Sequence, residues 1–461
     1  MYQKDIKPAG NYRWTICALL FVATTINYLD RQVLSLLQPY LEEKFGWTNS
    51  DYANITAVFQ FAYALSMLFA GRIVDWLDTK WGYGWAIVIW SVAAMIHALS
   101  IPIGEAFNSL LGLAGISIFS VSVAGFIVSR TLLAFGEAGN FPAAIKAVAE
   151  YFPKKERSFA TGIFNSGANI GAVLAPLTIP WIYANWGWES AFILVGAFGF
   201  LWLIFWLVFY EKPEKQKRLS KEELVYITND REDAAQAEKQ LTDVLESKIS
   251  WFKLLGYKQT WAFISGKLLT DGVFWFFLFW LPAYLKAQYN IVGEGVMIPL
   301  AAVYTLSMAG SVAGGWLPMY FIKKGHNVFE GRVKAMLVIA IFPLAILAAQ
   351  PLGHISYWIP IVLIGIGAAA HQAWSANIFT TVSDMFPKRA IGSVVGMGGM
   401  AGGLGGVVVS KISGALFDHY KALGHIETGY TIVFTASAVA YLIAWSVIKT
   451  LVPKYNPVVL D

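Results

Sequence analysis

Apolar segments of roughly 20 residues recur along almost the whole chain, and each is long enough to cross a ~30 Å hydrocarbon layer as a helix. Because lipid offers backbone groups no hydrogen-bond partner, and strand-like alternation in ~10-residue units is absent, these segments are expected to be helices. Only 14% of the 461 residues are charged, whereas soluble domains are about a quarter charged. The sequence therefore predicts an all-α membrane protein.

Twelve transmembrane spans are predicted from the apolar runs and the charged or turn-rich breaks between them. They lie near 14–37, 52–75, 82–103, 120–145, 158–182, 188–210, 260–285, 296–322, 332–351, 357–381, 390–417 and 429–451. The apolar stretch 107–119 could form a re-entrant or extra helix between the third and fourth spans. No small-residue cleavage site follows the first span, so we expect this span to be retained and not removed as a signal peptide.

The positively charged residues support this topology. If both termini are cytoplasmic, Lys and Arg collect in the short cytoplasmic loops, as they do in most multi-pass proteins. The opposite side then holds mainly Lys44, Lys286 and Lys421. Because the net charge of +5 is spread over many loops and forms no basic face, a nucleic-acid partner is excluded.

An internal repeat predicts two halves. The segments "FPKKERSFATGIFNSGANIGAV" from Phe152 and "FPKRAIGSVVGMGGMAGGLGGV" from Phe386 align without a gap. We expect a six-helix bundle over 1–210, a cytoplasmic linker over 211–257 whose charged helix starts at the capping-box sequence "LSKEEL", and a second six-helix bundle over 258–461. In transporters built from such repeats, substrate binds near the bilayer midplane where the halves meet.

Several motifs then resemble a known family. "GRIVDWLDTKWG" (71–82) is similar to the loop between the second and third helices of the major facilitator superfamily. More specific are "NYLDRQ" (27–32), the pair Arg130 and Glu137, "YFPKKERSFATGIFNSGANIGA" (151–172), "KLLTDGVFWFFLFWLP" (267–282) and "AAAHQAWSANIFTTVSDMFP" (368–387). Together they resemble the anion:cation symporter family, most closely its hexuronate-transporter branch.

The resemblance implies a proton-coupled importer of a sugar acid such as glucuronate or galacturonate. It implies a carrier in a bacterial inner membrane that is driven by the proton gradient without a cofactor or metal, and we expect a monomer. The charge asymmetry of the loops predicts that both termini are cytoplasmic. Ala168 and Gly399 stand where galactonate-type relatives carry an amide, which puts galactonate in doubt. Alternatives are another sugar acid or carboxylate (galactonate, glucarate, a dicarboxylate), or a transporter-like anion sensor. A membrane enzyme is disfavoured because the six His residues have no ligand-like spacing.

Charged residues within the spans are the main candidates for function. A charge at the centre of a span costs about 2.5–3.5 kcal/mol on insertion scales, so it needs a partner, water or a function. We predict that Arg130 anchors a substrate carboxylate, because its planar guanidinium pairs a carboxylate bidentately; the alternative is a structural ion pair. Arg31 is a second predicted contact. Lys267 could contact substrate or pair with Asp271, one turn later.

Asp30 and Glu137 are the predicted proton carriers, and the resemblance implies the same two carboxylates. Burial favours the neutral carboxyl group, whereas a nearby arginine favours the charged one. A substrate anion that occupies Arg130 or Arg31 can therefore change whether the acid holds its proton. The alternative for Asp30 is that it only neutralises a neighbouring arginine.

Polar and aromatic residues on the same spans are predicted to contact the sugar hydroxyls and ring. These residues are Tyr28, Asn165, Asn169, His371, Gln372, Trp374 and Asn377. Each has an alternative interpretation as helix-helix packing or hydrogen bonding. His371 lies at the same repeat offset from Glu137, which predicts a mirrored depth in the second half. The resemblance also implies that Arg72, Asp75 and Lys80 lock a cytoplasmic gate.

Overall fold

The computed structural model describes residues 10–113, 119–228 and 251–459, and no β-strand occurs in these ranges. The first half contains α1 (Tyr12–Phe45), α2 (Asn49–Ile96), α3 (Ser100–Leu113), α4 (Val121–Glu137), α5 (Asn140–Tyr151) and α6 (Lys154–Phe209). A short helix, α7, covers 221–228 of the linker. The second half contains α8 (Trp251–Leu255), α9 (Lys258–Tyr289), α10 (Met297–Lys323), α11 (Val328–Ile341), α12 (Ala349–Leu352), α13 (Trp358–Met385), α14 (Lys388–Ala422) and α15 (Ile426–Leu451).

The outer surface of the bundle is apolar. Along α2, for example, Phe61, Leu65, Phe69 and Ile73 recur every four residues and are all exposed. Such a continuous apolar face is unfavourable in water and suits contact with lipid. Ten helical segments of the described ranges are long and apolar enough to cross a membrane. The prediction of an all-α, multi-pass membrane protein is therefore confirmed.

The number of spans remains a prediction at twelve. The segment Phe159–Phe209 is one of the ten, although its helix is interrupted at Gly187, and α1 is not among them. Gly187 adopts φ +83°, a left-handed conformation that glycine tolerates best. In α2, Asp78 is non-helical at φ +71°. Both interruptions fall between two predicted spans.

The third span is longer than predicted. After a 3₁₀ turn at His97–Leu99, α3 continues as far as Leu113, so part of the apolar stretch 107–119 extends this span. Residues 114–118 lie outside the described ranges. Gly104 and Gly125 allow close packing of α3 on α4, because a Cβ atom at either position would overlap the backbone of the other helix.

The helices pack in two groups. Within the first half α1 lies along α6 and α2 along α4, and within the second α10 lies along α13 and α9 along α14. Between the halves α2 contacts α14, α6 contacts α10 and α1 contacts α9. The bundle boundaries at 210 and 258 remain a prediction. We call the end of the bundle that holds Tyr12 and Leu451 the terminus side, and the opposite end the far side.

The linker helix α7 is attached to the first half. The Ser220 hydroxyl accepts a hydrogen bond from the Glu223 backbone N–H at 3.1 Å, as the capping-box sequence predicts. The Glu223 carboxylate, however, accepts hydrogen bonds from the backbone N–H groups of Tyr12 and Arg13. Glu223 therefore caps the N-terminus of α1, and the reciprocal half of the predicted capping box is replaced by this contact.

The two halves touch on the far side and separate towards the terminus side. Gly403 and Gly414 of α14 face Ala64 and Ala53 of α2, where an added Cβ would lie only 2.5 Å from either alanine Cβ. Gly71 of α2, and Gly396 and Gly399 of α14, lie nearer the terminus side. Apart from the neighbouring backbone of the same helix, no heavy atom of the described residues lies within 4 Å of a Cβ built at these three glycines. The structure thus has a cleft between the halves that opens at the terminus side.

Candidate substrate and proton site

A buried ion pair joins α1 to α4 in the first half. Arg31 Nε and Nη2 donate to Glu137 Oε2 at 2.9 and 2.7 Å. The side chains are 4% and 0% exposed. Both residues are proposed site residues, but the sequence analysis did not foresee that they pair with each other.

Arg130 lies beside this pair with much of its hydrogen-bonding capacity unused. It is 1% exposed, and its two terminal nitrogens reach the Arg31 carbonyl oxygen only at 3.4 and 3.5 Å. Its Nε has no hydrogen-bond partner in the described part of the chain. Because unmade hydrogen bonds of a buried charged group are costly, Arg130 is suited to bind an anionic ligand by donating hydrogen bonds to it.

Asp30 is likewise a buried charged group with unused hydrogen-bonding capacity, but its charge is negative. Both of its carboxylate oxygens are buried without a hydrogen-bond partner among the described residues, and so is Glu137 Oε1. A charge left unpartnered in the interior is unfavourable, and a bound proton removes it. The geometry therefore places two carboxyl groups that can gain a proton next to two arginines.

Aromatic rings surround the Arg31 guanidinium. Its Cζ lies 4.8 Å from the centre of the Tyr28 ring, 4.7 Å from Tyr63 and 5.5 Å from Trp275. Trp275 belongs to the second half, so this cation–π contact crosses the interface between the halves. Tyr63 and Trp275 are not among the site residues predicted from the sequence. The sequence gives only a weak signal for these two residues, because aromatic residues are common in this chain. They face Arg31 only because of the way in which α2 and α9 are rotated about their axes.

A small cavity of about 60 Å³ lies between the halves next to these groups. Its walls come from α1 and α6 of the first half and from α9, α10 and α13 of the second. They are formed by Tyr28, Asn165, Ala168, Asn169, Ala172, Phe274, Tyr304, Ser307, Ser311 and Gln372. Four of the residues predicted to contact sugar hydroxyls are among them. Tyr304, Ser307 and Ser311 were missed, since Ser in an apolar helix usually bonds its own backbone.

The second half holds its own buried ion pair within α9. Lys267 Nζ lies 2.5 Å from Asp271 Oδ2 and 4.3 Å from the centre of the Phe379 ring. The Asp271 side chain is 17% exposed and that of Lys267 only 5%. Lys267 is therefore paired within its helix in this structure.

The remaining predicted residues of α13 are held by packing and hydrogen bonds. His371 Nδ1 lies 2.8 Å from the Tyr441 hydroxyl, and its ring stacks on Phe274. Asn377 Nδ2 donates to the carbonyl oxygens of Gly314 and Ala373. Trp374 is fully buried. Gln372 is the predicted residue of this helix that reaches the cavity wall.

The predicted gate residues lie on the terminus side. Lys80 pairs with Glu211 at 2.8 Å, and Asp78 pairs with Lys212 at 2.8 Å. The hydrogen bond from Lys80 lowers the pKa of Glu211, and the bond to Asp78 raises the pKa of Lys212. Arg72 is exposed, and the side chain of Asp75 lies outside what the structure describes. The two ion pairs join the loop after the second span to the start of the linker.

On the far side, by contrast, hydrogen bonds cross between the halves. Asp418 of α14 accepts from the backbone N–H groups of Asn49 and Ser50 at 2.8 Å each, so it caps the N-terminus of α2. Glu42 of α1 pairs with Lys421 at 2.8 Å, and Lys286 donates to the Pro39 carbonyl oxygen at 2.6 Å. These contacts close the far side of the cleft.

A lipid-facing helical bundle of two halves that encloses buried charges and opens at one end is an architecture that membrane transporters use. The family model of the Major Facilitator Superfamily matches residues 20–410. The chain therefore belongs to the major facilitator superfamily, as its motifs predict.

Named relatives carry sugar acids. The chain is 30% identical over 443 residues to the hexuronate transporter of Escherichia coli (strain K12), with 95% of this chain and 94% of the relative covered. It is 30% identical over 311 residues to the galacturonate transporter of Dickeya chrysanthemi, covering 68% and 83%. In fold it is similar to a bacterial homologue of the human lysosomal transporter Spinster, with a TM-score of 0.71 and 18% identity over 96% of this chain and 97% of that one.

Proposed function

We propose that the protein imports a hexuronate, glucuronate or galacturonate, together with protons by alternating access. The observation that carries this proposal is Arg130, a buried guanidinium with unused donors beside the unpartnered carboxyl group of Asp30. The names of the relatives support the substrate class. Other sugar acids and carboxylates, and a transporter-like sensor of such an anion, are the alternatives that experiment must separate.

In the proposed cycle the terminus side is cytoplasmic, in a bacterial inner membrane, and this structure faces inwards. The far-side contacts of Asp418 and Glu42 then break when the carrier opens outwards. The loop residues Arg72, Asp75 and Lys80 lock the cytoplasmic side in that outward state. Pockets that enclose small ligands have volumes of about 300–1,000 Å³, so the present cavity of about 60 Å³ must widen to admit a sugar acid.

Coupling follows from competition for the arginines. A substrate carboxylate that pairs with Arg130 and Arg31 weakens the Arg31–Glu137 pair and leaves Glu137 as an unpartnered buried charge. Uptake of a proton by Glu137 removes that charge, and uptake by Asp30 removes the second unpartnered negative charge beside it. Tyr28, Asn165, Asn169 and Gln372 then contact the hydroxyl groups of the bound sugar from the cavity wall, and no cofactor takes part.

The decisive experiment is uptake by the purified protein in proteoliposomes. Labelled glucuronate, galacturonate, galactonate and a dicarboxylate are offered with and without an imposed pH gradient. We expect accumulation of a hexuronate that depends on the gradient. Binding without any flux would identify a sensor instead, and accumulation that ignores the pH gradient would refute proton coupling.

Alternating access has a separate test. In a Cys17→Ser background, a short thiol-reactive cross-linker should join Asn54→Cys to Lys411→Cys, whose native side chains hydrogen-bond across the far side. The link should reduce uptake to background. The matched pair, Gly71→Cys with Gly396→Cys, faces the open cleft and should react only when the carrier turns outwards. Full uptake by the far-side cross-linked protein would refute the proposed cycle.

A further inference from the structure

Six charged side chains of the described residues lie inside predicted spans and are mostly or fully buried, and their charges cancel. They are Asp30, Arg31, Arg130 and Glu137 in the first half and Lys267 and Asp271 in the second. Three are acidic and three are basic. In an interior of low dielectric constant, a net charge is far more costly than in water. The total charge of this set, with whatever anion and protons it binds, therefore constrains what the site accepts.

Asp271 is the member of this set that the proposed mechanism does not use. Its Oδ2 lies 2.5 Å from Lys267 Nζ and against Gly402 of α14, where an added Cβ would overlap the carboxylate. Phe274, less than one turn further along α9, forms part of the cavity wall. Asp271 is thus a carboxylate of the protein that pairs with Lys267, within one helical turn of a residue of the cavity wall.

We propose that Asp271 selects the charge of the substrate: by acting as a fixed counter-anion for Lys267, it makes the carrier accept a monoanionic sugar acid and reject a dianionic one. The inference rests on the proposed import of a sugar acid and specifies which charge that sugar acid carries. With all six groups ionised, a monoanion brings the site to one negative charge, and one proton restores neutrality. A dianion would need two protons in the same site.

Removal of the Asp271 charge lowers by one the number of protons that each substrate needs for a neutral site, and so favours the dianion. In Asp271→Asn the six positions carry one positive charge, so the site is neutral when it holds a dianion and one proton, and the two carboxylates can pair with the arginines and Lys267. A site that holds a monoanion is then neutral without any proton. The variant should therefore transport a six-carbon sugar diacid such as galactarate, and its remaining hexuronate uptake should depend less on the pH gradient.

The experiment measures uptake of labelled glucuronate and galactarate by proteoliposomes at several imposed pH gradients. In Asp271→Asn the ratio of galactarate to glucuronate uptake should rise by roughly tenfold or more, the scale expected for one charge in a partly buried site. A lysine without its partner can lose its own proton, so Lys267→Arg combined with Asp271→Asn keeps the positive charge permanently. This double variant should show the same reversal.

Two further variants separate charge from structure. Lys267→Gln with Asp271→Asn removes both charges, keeps the set neutral and should restore the preference for the monoanion. Glu427→Gln removes an exposed acid at the start of α15 and should leave the ratio unchanged. An unchanged ratio in both Asp271→Asn and the Lys267→Arg double variant, with glucuronate uptake by the unmodified protein intact, would overturn the inference. Uptake of neither acid by the unmodified protein would instead overturn the proposed function, and this inference with it.

Discussion

The charged groups of the two halves are both buried, yet they differ in how well they are satisfied. In the first half, both oxygens of Asp30, one oxygen of Glu137 and Arg130 Nε have no hydrogen-bond partner in the described ranges. In the second half, Lys267 is paired with Asp271, and His371 is hydrogen-bonded to Tyr441. Folding normally satisfies buried polar groups.

Under the proposed proton-coupled import, this difference predicts that the first half is the one that changes its protonation and ligands during transport. Unsatisfied groups are costly to keep, so a set of them beside a cleft is expected where a ligand or proton supplies the missing partners. A satisfied pair shapes a site without needing to change. The following substitutions test this distinction in order of decreasing expected effect.

The largest effect should come from neutralising the proposed proton carriers. Asp30→Asn and Glu137→Gln keep the size of each side chain but cannot exchange a proton. Each should abolish accumulation driven by a pH gradient, and at least one should retain binding or counterflow exchange, because exchange needs no net proton movement. The measurement is a comparison of gradient-driven uptake and counterflow in proteoliposomes.

The control for this pair is Glu43→Gln, which removes an exposed acid from the same helix as Asp30 and should accumulate substrate normally. Full acidification-driven accumulation by both Asp30→Asn and Glu137→Gln would contradict their proposed role. It would also remove the distinction between the two halves, since unsatisfied carboxyl groups would then have no part in coupling.

A smaller but still large effect is expected for Arg130→Lys. The ammonium group keeps the charge but cannot form two parallel hydrogen bonds with a carboxylate. The loss of about 1.5–3 kcal/mol, typical of a hydrogen bond to a charged group, should weaken binding by roughly tenfold to a hundredfold. Isothermal titration of the best substrate measures this. Arg218→Lys, at an exposed arginine of the linker, is the matched control, and unchanged affinity in Arg130→Lys would exclude Arg130 as the anchor.

The sequence predicted the helices and the burial of charged residues within them better than it predicted which residues those charges contact. Apolar runs and the repeat depend on local composition, so most residues of the predicted spans are helical, although the predicted span 120–145 is divided into α4 and α5 and the number of spans stays a prediction. The Arg31–Glu137 pair depends on how α1 and α4 rotate against each other, and the far-side contacts of Asp418 depend on how the two halves dock. Such contacts join residues far apart in the chain, and no local pattern encodes them.

The contacts of His371 could not be predicted for the same reason, since they also join residues far apart in the chain. The repeat offset predicted its depth, but its neighbours Tyr441 and Phe274 come from two other helices. Two interpretations were open from the sequence, a contact to substrate hydroxyls and a packing histidine with a hydrogen bond. The contacts of the ring in this structure are those of the second interpretation, and transport kinetics can test it.

The smallest effect on transport is therefore expected for His371→Ala. Loss of the hydrogen bond and the ring stacking should lower the free energy of unfolding by about 1–3 kcal/mol, which thermal unfolding in detergent can detect. The Michaelis constants for a hexuronate and for a small monocarboxylate should change equally if the ring serves only its contacts with Tyr441 and Phe274. Tyr441→Phe removes only the hydrogen bond and should cost less stability. A Michaelis constant that rises far more for the hexuronate would show that His371 contacts sugar hydroxyls, and the second half would then share in binding as the first half does.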